Sequence, residues 1–197
     1  LGINKIIKYA KKFGLGQITG IDLISEADGF LPSKNWKEKT LDERWYLGDT
    51  YNLSIGQGYL LGTPIQTAVF MSYFATGQAY QPHFIKSTKS AIENQGYKSK
   101  LVLENLLDND NLNIIRAGLR ETVKTGTATS LQSVAVDVAG KTGTAQFNRN
   151  KTPHSWFTGF APYDDPQIVI TVLVEEGGDR GLAVTVARQF MEWYFER

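Results

Sequence analysis

The sequence contains no cysteine, which excludes disulfide bonds, thiol nucleophiles and zinc sites built on cysteine. Its two histidines, His83 and His154, do not form a His-x-x-x-His motif, which does not favour a metal site. We expect no cofactor. The net charge is only +1, which does not favour nucleic acid or a strongly anionic surface as partner. The longest apolar run, from Ile168 to Val174 with Thr171 inside it, is far too short to cross a bilayer.

The N-terminus shows no signal-peptide pattern, and its first residue is Leu1 rather than methionine. We therefore expect the chain to be a fragment of a longer protein. Its 197 residues are 42% hydrophobic and 21% charged, the composition of a globular domain with enough apolar mass for a core. We interpret residues 1–197 as one domain, or as one large piece of one.

A strand that ends in small polar residues is predicted between Val134 and Gln146. Val134, Val136 and Val138 lie on one side of a period-two pattern, which is typical of a strand. A segment with one ammonium and two hydroxyls follows, formed by Gly140, Lys141, Thr142, Gly143 and Thr144. This combination suits the binding of an anion and of an extended chain at the edge of a sheet.

Four amphipathic helices are predicted from apolar residues at helical spacing. The first covers residues 3–13, with its lysines directed to solvent and Gly14 placed to end it. The second begins at a capping box formed by Thr63 and Gln66, and the third covers residues 110–125. The fourth is expected to bury the face formed by Ala183, Val186, Ala187, Phe190 and Tyr194.

Between the helices, residues 15–50 have no clear period and are interpreted as a long surface excursion. Residues Ser54 to Gly58 are interpreted as a tight turn. Further strands are predicted at residues 82–90, 154–160 and 167–174, with a turn at residues 94–96. The last of these strands is nearly all apolar, so we expect it to be covered on both faces. The expected fold class is α/β (α+β), an antiparallel β-sheet flanked by helices.

The tripeptide Lys-Thr-Gly occurs twice, and the two copies have different contexts. Lys124-Thr125-Gly126 ends a predicted helix, where the lysine complements the helix dipole and the glycine ends the helix, so a structural role suffices. Lys141-Thr142-Gly143 follows a predicted strand, where no helix dipole explains the cation. A functional role is therefore favoured for the second copy.

Gly140-Lys141-Thr142 also resembles the end of a phosphate-binding loop. That motif requires a glycine five residues before Gly140, where Ala135 stands, and a helix after the threonine, which Gly143 disfavours. We reject nucleotide binding.

The chemistry of the second copy suits acyl transfer from a peptide. Lys141 supplies positive charge near a substrate carboxylate and near the proton path of a nucleophile. The hydroxyls of Thr142 and Thr144 can bond the carboxylate, and the backbone N–H of Thr144 can serve as one oxyanion donor. Gly143 has no Cβ, so an extended peptide can lie against the backbone as an added strand.

These segments resemble the penicillin-binding transpeptidases. Residues 141–146, Lys-Thr-Gly-Thr-Ala-Gln, resemble the third active-site motif of that family, and residues 154–162 resemble the strand that follows it. Residues 54–58 with 63–66, and residues 119–128, match further segments in the same order. Residues 1–3 and 19–23 most resemble the class B, elongation-type branch, the penicillin-binding protein 2-like proteins. A lone Lys-Thr-Gly is a weak signal, but several ordered segments covering the chain are a strong one.

The resemblance implies a β-lactamase/transpeptidase-like fold and a peptidoglycan D,D-transpeptidase that attacks a D-Ala–D-Ala amide through a serine acyl-enzyme. It implies that the chain acts in cell-wall elongation and cell shape. The site residues it implies are Lys141 and Thr144 as catalytic, and Thr142, Gly143, Ala145 and Gln146 as substrate-binding.

The resemblance also implies partners and a location. The expected partners are peptidoglycan stem peptides, β-lactam antibiotics, a membrane glycan polymerase and other proteins of the elongation machinery. The expected location is the extracytoplasmic face of the bacterial inner membrane, with the membrane anchor outside this chain.

One departure from the family pattern bears on catalysis. The family's nucleophile lies in a Ser-x-x-Lys motif, which occurs nowhere in the 197 residues. Its second motif is Ser-x-Asn, and the single copy here, Ser33-Lys34-Asn35, lies in the predicted excursion and is interpreted as coincidence. We therefore expect the chain to begin just after the second motif and to be the C-terminal portion of the domain.

Two alternatives stay open. A β-lactam hydrolase or sensor of the same fold shares the Lys-Thr-Gly strand, but a hydrolase needs a deacylating base that is not visible in this sequence. A catalytically silent fragment that only docks peptide is the other, because catalysis requires the absent serine.

Overall fold

The structure, a computed structural model, describes residues 2–84 and 100–196. The predicted turn at residues 94–96 and the predicted strand from residue 85 onward lie outside the described residues, and residues 82–84 are not in a strand. The chain divides into two compact units, Leu1–Phe70 with Gln78–Leu106 and Met71–Gly77 with Leu107–Arg197.

The described residues of the first unit form helices joined by loops and one small pair of strands. The strands β1 and β2 pair in antiparallel fashion. Its elements are α1 (Ile3–Lys12), α2 (Lys34–Leu41), α3 (Leu47–Ser54), the first part of α4 (Pro64–Thr76), β1 (Gln78–Tyr80) and β2 (Leu101–Glu104).

Helix α1 confirms the first predicted helix. Ile3 is buried and the lysines of the helix are exposed. Gly14 has φ +86°. Its N–H donates to the carbonyl of Lys11, and the N–H of Leu15 donates to that of Ala10, each at 3.0 Å. This pattern is a Schellman motif, in which a glycine with left-handed φ ends a helix.

The prediction of a single excursion over residues 15–50 is wrong where α2 and α3 form. Helix α2 is capped at its N-terminus by Ser33, whose hydroxyl accepts the N–H of Trp36 at 3.1 Å. Helix α3 follows its N-cap residue Tyr46, whose N–H donates to the carboxylate of Asp49 at 2.7 Å. The Ser33 hydroxyl is thus engaged as a helix cap, which supports the interpretation of its Ser-x-Asn motif as coincidence.

An ion pair between residues far apart in the sequence links these two short helices. Lys37 is 3% exposed. Its Nζ lies 2.8 Å from a carboxylate oxygen of Asp49 and 3.3 Å from one of Glu43. Burial opposes the charge of Asp49, but the hydrogen bonds from Lys37 and Tyr46 outweigh it and lower the pKa of that carboxyl. The hydrogen bond to Asp49 in turn raises the pKa of Lys37 against the effect of burial. Neither effect can be inferred from hydrophobic periodicity.

The start of α4 confirms the predicted capping box. The N–H of Thr63 donates to Oε1 of Gln66 at 3.0 Å, and the N–H of Gln66 donates to the Thr63 hydroxyl at 3.2 Å. The same Gln66 amide donates to the carbonyls of Gln17 and Asp28, each at 2.7 Å. The cap therefore also holds the loop that follows α1.

The second unit is a three-stranded antiparallel sheet with helices on both faces. The strand order is β3-β4-β5. Its elements are the last turns of α4, α5 (Asn109–Lys124), a 3-10 turn (Thr129–Ser133), β3 (Ala139–Ala145), β4 (His154–Ala161), β5 (Ile168–Val174) and α6 (Leu182–Phe195).

Each face of this sheet has its own buried cluster. Phe157 of β4 packs with Ala187 and Met191 of α6, all fully buried. Phe160 of β4 belongs to the other cluster, where it packs with Met71 of α4 and Leu119 of α5. The predicted fold class, an antiparallel sheet flanked by helices, is confirmed, as is the helix predicted at residues 110–125.

The strand predicted from Val134 begins only at Ala139. The N–H of Val134 bonds the carbonyl of Leu131, and the carbonyl of Asp137 accepts the N–H of Tyr163, so neither group belongs to a sheet ladder. Val134 and Val138 are nevertheless buried in the cluster under α6. The alternating valines reflect burial of an irregular segment rather than a strand.

Two further predictions differ from the structure. Helix α6 buries Ala183, Val184, Ala187 and Met191, whereas Val186 and Phe190 are exposed. Tyr194, also predicted to be buried, is 37% exposed. Strand β5 is half-buried along its whole length rather than covered on both faces, because it lies at one edge of the described sheet.

Candidate active site

The predicted site residues lie on β3, at an edge of the described sheet. Within the described residues β3 pairs with β4 only, and Lys141 stands opposite Thr158 while Thr142 stands opposite Phe157. Because side chains alternate along a strand, Lys141 belongs to one face of β3 and Thr142 and Thr144 to the other. All three are accessible at the edge, since Thr142 is half-buried and the other two are exposed.

The ammonium of Lys141 is held next to the strand's own backbone. Lys141 Nζ donates to the carbonyl of Thr142 at 2.9 Å. An accessible cation on an edge strand can attract a carboxylate or assist a proton transfer. A buried ammonium would have argued against any such role, and Lys141 is exposed.

Thr142 has a partner that the sequence did not indicate. Its hydroxyl oxygen lies 2.6 Å from the hydroxyl oxygen of Thr127, which follows α5. Gly126-Thr127-Ala128 belongs to a segment that matched the family pattern, but no role was predicted for Thr127. Only the tertiary structure brings these two hydroxyls together.

The remaining predicted residues continue along β3 and into the next turn. At Gly143, a Cβ would lie 3.2 Å from the Cβ of Trp156, so this glycine leaves room for the Trp156 side chain on the neighbouring strand. Ala145 is half-buried at the end of the strand. The Gln146 side-chain amide donates to the carbonyls of Asn148 and Lys151, so it stabilises the turn between β3 and β4.

Two arginines of α5 bond backbone carbonyls of neighbouring segments, and one of them holds the segment that leads into β3. Arg120 donates to the carbonyl of Val138 at 3.0 Å and pairs with the carboxylate of Asp137. Arg116 donates to the carbonyls of Ala75 and Tyr163. The contacts of Arg120 hold the start of β3 against α5, whereas Arg116 links α5 to the end of α4 and to the residues after β4.

His154 at the start of β4 has a structural role. Its ring stacks on Phe147 with 4.2 Å between centroids, and Nδ1 accepts the N–H of Glu176 at 3.0 Å. Across residues 2–84 and 100–196, no group of three or more potential ligands is arranged to hold a metal ion.

Comparison with known proteins decides the family. The family model of the penicillin binding protein transpeptidase domain matches residues 1–192. The chain belongs to the penicillin-binding protein transpeptidase family. The resemblance inferred from the ordered motifs is thereby confirmed.

Relatives of this chain include peptidoglycan D,D-transpeptidases named MrdA. The protein of Acinetobacter baumannii is 31% identical, with 98% of this chain and 31% of the relative covered. That of Escherichia coli K12 is 32% identical, with 98% of this chain and 33% of the relative covered. The chain spans about a third of the length of these curated relatives.

Solved structures support the same fold. Penicillin-binding protein 2 of Pseudomonas aeruginosa, in complex with WCK 5153, superposes with a TM-score of 0.82 at 35% identity, covering 98% of this chain and 44% of that one. The Helicobacter pylori protein in its complex with MreC gives a TM-score of 0.81 at 34% identity, covering 99% and 37%. The predicted transpeptidase-like fold is confirmed.

No helix in the described ranges of this chain combines the length and the apolar character that crossing a membrane requires.

Proposed function

We propose that this chain is the C-terminal part of a penicillin-binding protein 2-like peptidoglycan D,D-transpeptidase, with its serine nucleophile supplied by polypeptide outside these 197 residues. The observation that carries the proposal is the exposed Lys141 on an accessible edge strand of a chain that belongs to this family. The curated relatives, which are about three times as long, support a larger catalytic unit.

In the proposed reaction a stem peptide lies along β3 as an added strand. The serine oxygen attacks the carbonyl carbon of the D-Ala–D-Ala amide, the C–N bond breaks, and the terminal D-Ala leaves as a protonated amine. The amine of a neighbouring stem then attacks the acyl ester, an amide forms, and the serine oxygen regains a proton. The products are the cross-link and the free serine.

We assign roles to the residues of β3 in this reaction. Lys141 supplies positive charge beside the path of the serine proton. The Thr142 and Thr144 hydroxyls bind the terminal carboxylate, and the Thr144 N–H is the proposed oxyanion donor. Gly143, Ala145 and Gln146 line the bound peptide.

We further propose that the intact protein acts in cell-wall elongation on the extracytoplasmic face of the bacterial inner membrane. Its proposed partners are stem peptides, a membrane glycan polymerase and other elongation proteins, with β-lactams as inhibitors. Related solved structures include a penicillin-binding protein 2 bound to MreC and a peptidoglycan synthase complex that couples polymerization to crosslinking. Both support these partners.

The test is acylation of the intact protein by a fluorescent penicillin. Lys141→Ala should slow labelling about a hundredfold, because the site loses a charge that assists the chemical step. The matched control is Lys124→Ala in the other Lys-Thr-Gly copy, where an exposed lysine pairs with Glu121 at 3.6 Å at the end of α5. This control should label normally, and undiminished labelling of Lys141→Ala would refute the role of Lys141.

The isolated 197-residue chain provides a second control. We expect intact-mass spectrometry to find no penicillin adduct, because no Ser-x-x-Lys motif is present in the sequence. A mass increase of one acyl group would contradict the location of the nucleophile. Rapid turnover of a chromogenic β-lactam by the intact protein would instead favour a hydrolase.

A further inference from the structure

Thr127 is held firmly beside the candidate site by the turn that ends α5. On either side of it, the N–H of Gly126 donates to the carbonyl of Glu121 and that of Ala128 to the carbonyl of Thr122, each at 3.0 Å. Ala128 is 1% exposed and anchors the turn in the core of its unit. The fixed backbone leaves Thr127 exposed at the surface of this turn.

The hydroxyls of Thr127 and Thr142 lie 2.6 Å apart, a short distance for two neutral groups. Each hydroxyl has one proton to donate and two lone pairs to accept. Of the two protons, one lies between the oxygens and the other is available to a ligand. The direction of this hydrogen bond therefore decides which threonine can donate to a bound anion.

The two directions are not equivalent for a ligand on β3. If Thr127 donates to Thr142, the Thr142 proton is available for a carboxylate lying along the strand. A hydroxyl that accepts one hydrogen bond is polarised and becomes a better donor in the next. Thr127 then strengthens the hydrogen bond from the Thr142 hydroxyl to the carboxylate without contacting the carboxylate itself.

We propose that Thr127 is a positioning residue that directs the Thr142 hydroxyl proton toward the terminal carboxylate of the acyl donor. This inference rests on the proposed transpeptidase function. It adds a residue outside the Lys-Thr-Gly strand to the machinery that recognises the carboxylate.

The experiment measures acylation of the intact protein by a penicillin with a free carboxylate and by its methyl ester. Thr127→Val keeps the branched shape and removes the hydroxyl. It should reduce acylation by the free acid about tenfold through weaker initial binding, with a small change in the chemical step. Thr127→Ser should restore most of the loss, and the ester should react with wild type and Thr127→Val at similar rates.

A double-mutant cycle separates positioning from direct contact. If Thr127 acts through Thr142, then Thr127→Val combined with Thr142→Val should acylate no more slowly than Thr142→Val alone. Additive losses, an unchanged rate for Thr127→Val with the free acid, or failure of Thr127→Ser to rescue would each overturn the proposal. A thermal unfolding midpoint equal to that of wild type shows that the valine variant is folded.

The possible results also distinguish failure of the Thr127 proposal from failure of the proposed transpeptidase function. Normal acylation of Thr127→Val together with loss in Lys141→Ala would reject the role of Thr127 and leave the transpeptidase proposal standing. Absence of acylation in the wild-type intact protein would reject both.

Discussion

Gly140, next to the catalytic candidate Lys141, is required by its neighbours rather than by its backbone angles. A Cβ at this position would lie 2.6 Å from both the ring of Phe157 and the carbonyl oxygen of Thr158. Gly140→Ala should therefore destabilise the protein by about 1–3 kcal/mol through overpacking against a buried ring. Denaturant titration measures this change in the free energy of unfolding.

Gly118 provides the matched control for this prediction. It lies inside α5, and a Cβ there would meet no atom within 4 Å. Gly118→Ala should stabilise the protein by about 0.5–1 kcal/mol, because alanine loses less conformational entropy in a helix. Similar free energies of unfolding for the two alanine variants would contradict the packing argument.

The sequence predicts site residues that are contiguous, but not those brought to the site by folding. The one ammonium and two hydroxyls at residues 141–144 are contiguous, so their proximity is a property of the sequence alone. Thr127 is separated from Thr142 by 15 positions, and only the packing of α5 against β3 brings it near. A role that depends on a contact of this kind has no local signal in the chain.

Secondary structure was predictable where the stabilising contacts are local. The capping box of α4 joins Thr63 and Gln66, three positions apart, and the α5 cap joins Asp108 to the N–H of Asn111. Helices α2 and α3 are not predicted although Ser33 and Tyr46 cap them locally, because both helices are weakly amphipathic and the ion pair between them joins Lys37 to Asp49, 12 positions apart. Hydrophobic periodicity detects amphipathic faces but not an ion pair of this type.

The face that α6 buries shows the same limit. The helix is apolar on most of its circumference, so the periodicity of its sequence does not select one face. The structure buries Met191 completely and leaves Phe190 42% exposed. The packing partner, β4 with Phe157, selects the face.

Substitutions on α6 distinguish the two faces. Met191→Ala should cost about 2–5 kcal/mol, the usual range for a large-to-small change in a core. Phe190→Ala should cost clearly less, because its ring is partly in solvent and contacts Trp193 and Tyr194 on the same helix. Free energies of unfolding from denaturant titration compare the two, and a larger loss at Phe190 would favour the face predicted from sequence.

At the scale of the whole molecule, the net charge is only +1. Several individual carboxylates nevertheless accept hydrogen bonds that make the stability of the folded state sensitive to acid. The pKa of Glu192 is lowered, chiefly by the hydroxyl of Ser133, which donates to it at 2.6 Å. The pKa values of Glu26, Asp49 and Asp108 are also lowered. A carboxyl whose folded pKa lies below its unfolded value contributes stability above the unfolded value and loses it as the pH falls through the folded value. Lys37 has the opposite sign, since its raised pKa gives a contribution that is lost only as alkaline pH passes the folded value.

Glu26 gives the sharpest test of this acid sensitivity. Its carboxylate accepts the N–H and the hydroxyl of Thr19, at 2.7 and 2.6 Å, and the N–H of Gly20 at 2.9 Å. Burial by itself would raise the pKa of Glu26, but these hydrogen bonds outweigh it and lower the pKa. Glu26→Gln should therefore lower the thermal unfolding midpoint at neutral pH, and the gap from wild type should close as acid protonates Glu26. The same substitution at the exposed Glu38 is the control, and a gap that stays constant into acid would show that the charge of Glu26 does not stabilise this loop.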